Sequence, residues 1–295
     1  MRAADATRAA AALLAALLLA APPGRAQTAV RKDVRKDVRD TVAGVAPLAI
    51  GETFTVASSV LGETRRINVY APPDYDRGPD VRLPVLYMPD GGMGEDFLHV
   101  AGLVQVLVGN GTMRPFLLVG IENTERRRDM TGPTDKPEDR KIAPRVGGSA
   151  AFRTFIRTEL MPRVRARYRT TGETAVVGES LAGLFVVETF LREPDLFDTY
   201  VAFDPSLWWN GEQLLAQAAA TLKARSVGPK TLFLANSDEP TLATETRRLA
   251  DVLRDGAFRD LRWHYLPMPD ETHATIYHPA ALRAFRTLFP PAAPK

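Results

Sequence analysis

The stretch VVGESLAGLF (residues 176–185) sets one serine and one glutamate in an apolar run, with glycines at 178 and 183. It nearly spells G-x-S-x-G, the signature of a serine held on a sharp strand-to-helix turn, with Ala182 where the second glycine would stand. Such a turn presses strand against helix, so the positions two before and two after the serine must be small. Gly178 meets that demand, and Ala182 adds only a methyl group. The competing reading makes Ser180 an N-cap whose hydroxyl satisfies free amides at a helix start.

A serine nucleophile needs a base, and the chain has four histidines: His99, His264, His273 and His278. The order nucleophile, acid, histidine sets His99 aside. His264 lies inside the strand-like LRWHYLP, and His278 precedes Pro279 at a helix start. His273, in the loop PDETHATIYHP after the last strand-like run, is the expected base, with His278 second. The acid is expected after the strand KTLFLA, in NSDEP, where Glu239 is preferred and Asp238 is the alternative. Two backbone amides must meet the developing oxyanion. One is expected from Leu181, the other from MPDGGMG, with Gly92 chosen and Gly91 the alternative.

Strand-like runs position these residues. TFTVASSVL and RRINVYAPPDY read as a hairpin, and LPVLYMPDGG, PFLLVGIEN, TAVVGES, YVAFDPS, KTLFLANSDE and LRWHYLPMPDE each end in a polar loop. Helix-like stretches such as SAAFRTFIRTELMPRVRARY, LAGLFVVETFLREP, GEQLLAQAAATLKAR and LATETRRLADVLRDG lie between several of them. This alternation predicts an α/β fold with a mostly parallel sheet, helices on both faces and an N-terminal antiparallel hairpin. Ligand chemistry then belongs at the carboxyl ends of the strands. There Arg126, Arg127, Arg128 and Asp129 of NTERRRDMTG would form a rim suited to anionic acyl groups, or a structural Arg–Asp pair. Trp208 and Trp209 of DPSLWWN would divide between pocket wall and core.

The blocks YMPDGG, VGIENTERRRDMTGPT, VVGESLAGLFVVETFLREPDLFDTYVAFDPSLWWN and DETHATIYHPAAL, in this order, resemble one esterase family of the α/β-hydrolase superfamily. That family includes siderophore trilactone esterases, feruloyl and acetylxylan esterase domains, S-formylglutathione hydrolases and mycolyltransferases. The resemblance spans about residues 50–290 and implies an α/β-hydrolase fold. It further implies Ser180 as nucleophile, His273 as base, Glu239 as acid, and Gly92 and Leu181 as oxyanion donors. Glu179 and Ala182 depart from the family's usual histidine and glycine. A serine–histidine dyad in some of its siderophore esterases leaves the acid the least certain member.

Composition bounds the rest. The 295 residues are 45% hydrophobic and 25% charged, the proportions of a globular domain. Residues 1–26, with Arg2 and Arg8 before AAAALLAALLLAA and Ala26 before a cut, read as a signal peptide too short in its apolar part to span a bilayer. It holds three arginines and one aspartate, so its removal takes the formal charge from +3 to +1 and disfavours nucleic acid as a partner. Residues 27–48, with the repeated VRKD, read as a charged arm, 49–290 as the catalytic domain and 291–295 as a tail. With no cysteine there is neither thiolate catalysis nor a disulfide, which suits a periplasmic or secreted protein with a large core. The expectation is an exported serine esterase acting on a small-molecule ester, with no metal, no cofactor and no membrane insertion once the leader is cut. An acyltransferase to a carbohydrate, or an inactive periplasmic binding module, are the alternatives. Oligomeric state is not legible.

Overall fold

Strands that are apolar along their whole length must be covered on both faces, and the computed structural model shows that arrangement. It describes residue 44 and residues 46–224, 227–256 and 258–291. The expected leader (1–26), most of the charged arm and the last four residues lie outside the described residues. The chain divides into two units, Met1–Leu48 and Ala49–Lys295; the second carries all the elements below.

Its eight strands are β1 (Glu52–Ser58), β2 (Glu63–Tyr70), β3 (Leu83–Pro89), β4 (Leu117–Ile121), β5 (Thr170–Glu179), β6 (Thr199–Phe203), β7 (Lys230–Asn236) and β8 (Leu261–Pro267). They form one sheet in the order β1-β2-β4-β3-β5-β6-β7-β8. β1, β2 and β4 pair antiparallel, and every other pairing is parallel. This is the α/β-hydrolase architecture with its opening hairpin. All residues of β3, β4 and β6 are buried, whereas β8, at the sheet edge, buries only Leu261.

Alternation sends successive side chains to opposite faces. Val85, Tyr87 and Val176 pack on one side with helices α3 (Ser149–Phe155), α4 (Met161–Arg167), α5 (Leu181–Arg192), α6 (Trp209–Ala224) and α7 (Pro240–Gly256). Leu86, Met88, Ala175 and Val177 face the other side, under α1 (Phe97–Gly109) and α8 (Tyr277–Leu288). A short helix, α2 (Arg126–Met130), follows β4. Every residue of α5 from Leu181 to Leu191 is buried, its one charged residue, Glu188, being paired with Arg153 at 2.9 Å.

Two buried charges tie the hairpin to the rest. Arg65 of β2 has no exposed side-chain surface and pairs with Asp129 of α2, its guanidinium also lying 5.1 Å from the Phe152 ring centroid. Glu159, in the π-helical turn Ile156–Leu160 between α3 and α4, accepts hydrogen bonds from the Ser59 amide (2.9 Å), Ser59 Oγ (2.6 Å) and Ser58 Oγ (2.5 Å) at the β1–β2 turn.

Candidate active site

Ser180 stands between β5 and α5 with φ 61° and ψ −121°, a left-handed backbone that only a tightly determined turn imposes on a residue with a Cβ. The turn is held from both sides. The Ser180 amide donates to Phe203 O at 3.0 Å, and the Ser180 carbonyl accepts from Leu184 N at 2.9 Å and Ser206 N at 3.1 Å. The side chain makes no capping hydrogen bond to α5. Its Oγ instead lies 3.2 Å from His273 Nε2.

The small residues of the motif divide the space unevenly. A Cβ on Gly178 would come within 2.7 Å of the Ala182 backbone and methyl, so Gly178 is the position that must stay bare. Ala182 fills the room Gly178 leaves. Gly183 answers a different neighbour, since a Cβ there would meet Phe203 O at 2.8 Å.

His273 reaches Ser180 from the loop between β8 and α8. Its Nδ1 lies 3.0 Å from Asp204 Oδ2 and 3.2 Å from Glu179 Oε1. Asp204, the first residue after β6, has no exposed side-chain surface. Its carboxylate accepts from the Ser237 amide at 2.7 Å and Ser237 Oγ at 2.6 Å. Its own φ is 40°. The hydrogen bond to Asp204, against some desolvation and with the charges of Glu179, Asp204 and Glu239, raises the His273 pKa above 6.5. One nitrogen of His273 and one carboxylate oxygen each of Glu179 and Asp204 lie within 4.8 Å of one another, the imidazole standing between the two acids.

The acid expected after β7 is therefore displaced. Glu239 caps α7, its Oε2 accepting the Leu242 amide at 2.7 Å, and exposed Asp238 donates its amide to Glu271 O. Neither contacts His273. Asp204, the polar residue ending YVAFD, was not foreseen from the sequence, although β6 lies next to β5 and its end is nearer the nucleophile than that of β7.

Glu179 is mostly buried and faces the same imidazole. Burial pushes its pKa up to about 7, opposed by His273 and Arg126 and reinforced by Asp204 and Asp96.

The two expected oxyanion donors differ. The Leu181 amide opens α5, where a helix leaves donors unpaired. The Gly92 amide donates to Glu95 Oε2 at 2.7 Å within its own loop. The Gly91 amide is spent on Ile121 O at 3.0 Å, and a Cβ at Gly91 would lie 2.2 Å from Gly120 Cα, so this glycine serves packing rather than substrate.

Arg126 forms a two-pronged pair with Asp90, at 2.7 and 2.8 Å, and Arg128 is held by Glu63 and Asp129. Both are thus anchored in ion pairs. Together with Arg127 and Arg145 they line an open cavity of about 500 Å³ that also touches Thr124 and Pro144. Trp209 is buried and donates from Nε1 to Gly132 O at 2.9 Å; Trp208 is half-buried against the core. The other histidines are occupied elsewhere: His264 stacks on Phe233, and His99 and His278 lie beside each other, 5.7 Å between ring centroids.

A half-buried serine on a strained elbow, an imidazole behind it and a carboxylate behind that form the constellation of a serine hydrolase. A family model described as "Putative esterase" matches residues 58–247. The chain belongs to that esterase family. Membership makes it a carboxylic ester hydrolase. Among curated relatives of the family, the ferri-bacillibactin esterase BesA of Bacillus subtilis is 26% identical over 79% of this chain and 88% of its own length. The siderophore triacetylfusarinine C esterase of Aspergillus fumigatus is 29% identical over 61% of this chain and 64% of its own. An IroE-like serine hydrolase from Shewanella oneidensis superposes with a TM-score of 0.74 at 29% identity, covering 81% of this chain and 80% of that one.

Proposed function

We propose that this esterase is an exported serine hydrolase that cleaves siderophore-type esters through an acyl-enzyme on Ser180. The observation that carries the reading is the continuous contact Ser180–His273–Asp204 at 3.2 and 3.0 Å. His273 Nε2 takes the Ser180 proton as Oγ attacks the ester carbonyl, and Asp204 holds Nδ1–H and stabilises the imidazolium. The Leu181 amide meets the oxyanion, joined by Gly92 once Glu95 gives up its hydrogen bond. The C–O bond breaks, and the alcohol leaves with the proton from His273. Water then adds to the acyl carbon, His273 again taking and returning the proton, and the carboxylic acid departs.

The substrate class draws on the relatives, named as esterases of ferri-bacillibactin, triacetylfusarinine C and iron(III) salmochelin. The arginine-lined cavity adds little to this, since Glu125 lines it too and Arg126, Arg128 and Arg145 are already paired with Asp90, Glu63 and Glu125. Export rests on residues 1–26, with Arg2 and Arg8 before the apolar run.

Purified protein is to be assayed against ferric and iron-free trilactones, nitrophenyl esters of increasing chain length, and feruloyl and acetyl-xylose esters. The trilactones should give the highest kcat/KM, and Ser180→Ala should abolish turnover and labelling by a fluorophosphonate. Preference for a simple aryl ester would overturn the substrate class, and normal turnover by Ser180→Ala the mechanism. Terminal sequencing of the protein recovered outside the inner membrane should begin at Gln27; full-length protein in the cytosol would refute export.

A further inference from the structure

β5 and β6 are parallel neighbours, with Glu179 in register with Phe203. Asp204, one residue past Phe203, breaks the strand's alternation with its φ of 40°, and its carboxylate and that of Glu179 both meet one imidazole. Nδ1 of His273 carries a single proton and has two acceptors, at 3.0 Å on Asp204 and 3.2 Å on Glu179. The Glu179 carboxylate has no other close polar contact among the described residues. The charged and titratable groups facing it are His273 from the β8–α8 loop, Asp204 after β6, Arg126 of α2, Asp96 before α1, and Tyr277 of α8.

We propose that Glu179 is a second positioning carboxylate for His273, sharing the Nδ1 proton with Asp204 and able to orient the imidazole when Asp204 is lost. This rests on the serine-esterase reading. Below neutral pH the Glu179 carboxyl is protonated, because burial favours its neutral form, and Asp204 works alone. Above it Glu179 ionises and adds a second negative charge against His273.

Two measurable consequences follow from the charges. Glu179→Gln removes that second negative charge, so His273 loses its proton more readily and the acidic limb of the kcat/KM profile moves to lower pH, by roughly one unit. Asp204→Asn leaves Glu179 as the remaining acceptor and also relieves the repulsion that adds to burial in favouring the protonated Glu179 carboxyl. The Glu179→Gln change should accordingly cost at least about tenfold more in the Asp204→Asn background than in the wild type.

The experiment measures kcat/KM for a nitrophenyl ester across about pH 5 to 9 in wild type, both single variants and the double variant, with Ser180→Ala and fluorophosphonate labelling as controls. A downward shift of the acidic limb in Glu179→Gln and non-additive loss in the double variant support the proposal. Superimposable limbs and additive losses overturn it. If the double variant does not fold, the limb of Glu179→Gln alone decides. The underlying reading fails separately, when Ser180→Ala still turns over or Ser180 is not labelled.

Discussion

The proton affinity of His273 sets the pH at which Ser180 becomes a nucleophile. Its raised pKa, caused first by the Asp204 hydrogen bond, means that the imidazole is charged, and useless as a base, until the pH exceeds 6.5. Esterase activity should therefore rise through a midpoint above 6.5, as a pH profile of kcat/KM will show, and a midpoint below it would contradict this environment. The acid expected from the sequence and the one found beside His273 should also separate in their variants. Asp204→Asn should lower kcat/KM by about 10- to 10²-fold, short of the roughly 10⁴-fold loss of a lone triad acid, since it removes the nearer partner of Nδ1–H and leaves Glu179. Glu239→Ala should leave turnover within a few-fold and cost about 1 kcal/mol of stability through the lost α7 cap, visible in denaturant melts. Ser180 and His273 were legible in the sequence because both stand at strand ends in loops of suggestive composition. Asp204 was not, because DPS reads as an ordinary turn and nothing local says that its carboxylate points inward to Ser237 and His273.

At the scale of elements, each of the eight strands was foreseeable from its unbroken apolar run or its alternation, and their parallel pairing from the helices between them. Less visible were α1, where FLHVAGLVQVLVG has no strong polar stripe, and the π-helical turn that interrupts SAAFRTFIRTELMPRVRARY. The elbow shows how two elements share a tight volume. Ala182 presses its methyl against the bare Gly178 backbone, so the helix start is accommodated by the strand rather than by a second glycine. Gly178→Ala should destabilise the fold by about 1–3 kcal/mol and sharply reduce activity. Adding Ala182→Gly should not restore either, because two of the three blocking atoms at 2.7 Å belong to the residue-182 backbone. Recovery of wild-type thermal stability in that double variant would show the clash to lie in the methyl alone.

Across the whole molecule, one carboxylate links parts of the chain about a hundred residues apart. Glu159 binds the β1–β2 turn through Ser58, Ser59 and the Val60 amide. Although burial works against it, those hydrogen bonds lower its pKa from 4.5 to about 2. A folded-state pKa below the unfolded value contributes stability in full above 4.5, and that contribution drains away as the pH falls towards 2. Glu159→Gln should thus be less stable than wild type at neutral pH, with the two denaturation midpoints converging near pH 2. A difference that does not narrow with acid would mean that the ionised carboxylate is not what holds the hairpin.

The distances along the chain between Ser180, Asp204 and His273 carry a consequence for the order of events in time. His273 lies 93 residues beyond Ser180 and 69 beyond Asp204. A ribosome extending the polypeptide completes the elbow well before it supplies the base, and a refolding chain must close a loop of that length before any turnover is possible. Catalysis is in that sense a clock for the seating of β8 and α8. In a refolding experiment the strands should report their formation first by circular dichroism, and ester hydrolysis should return later, with the phase in which the C-terminal strand and helix settle on the sheet.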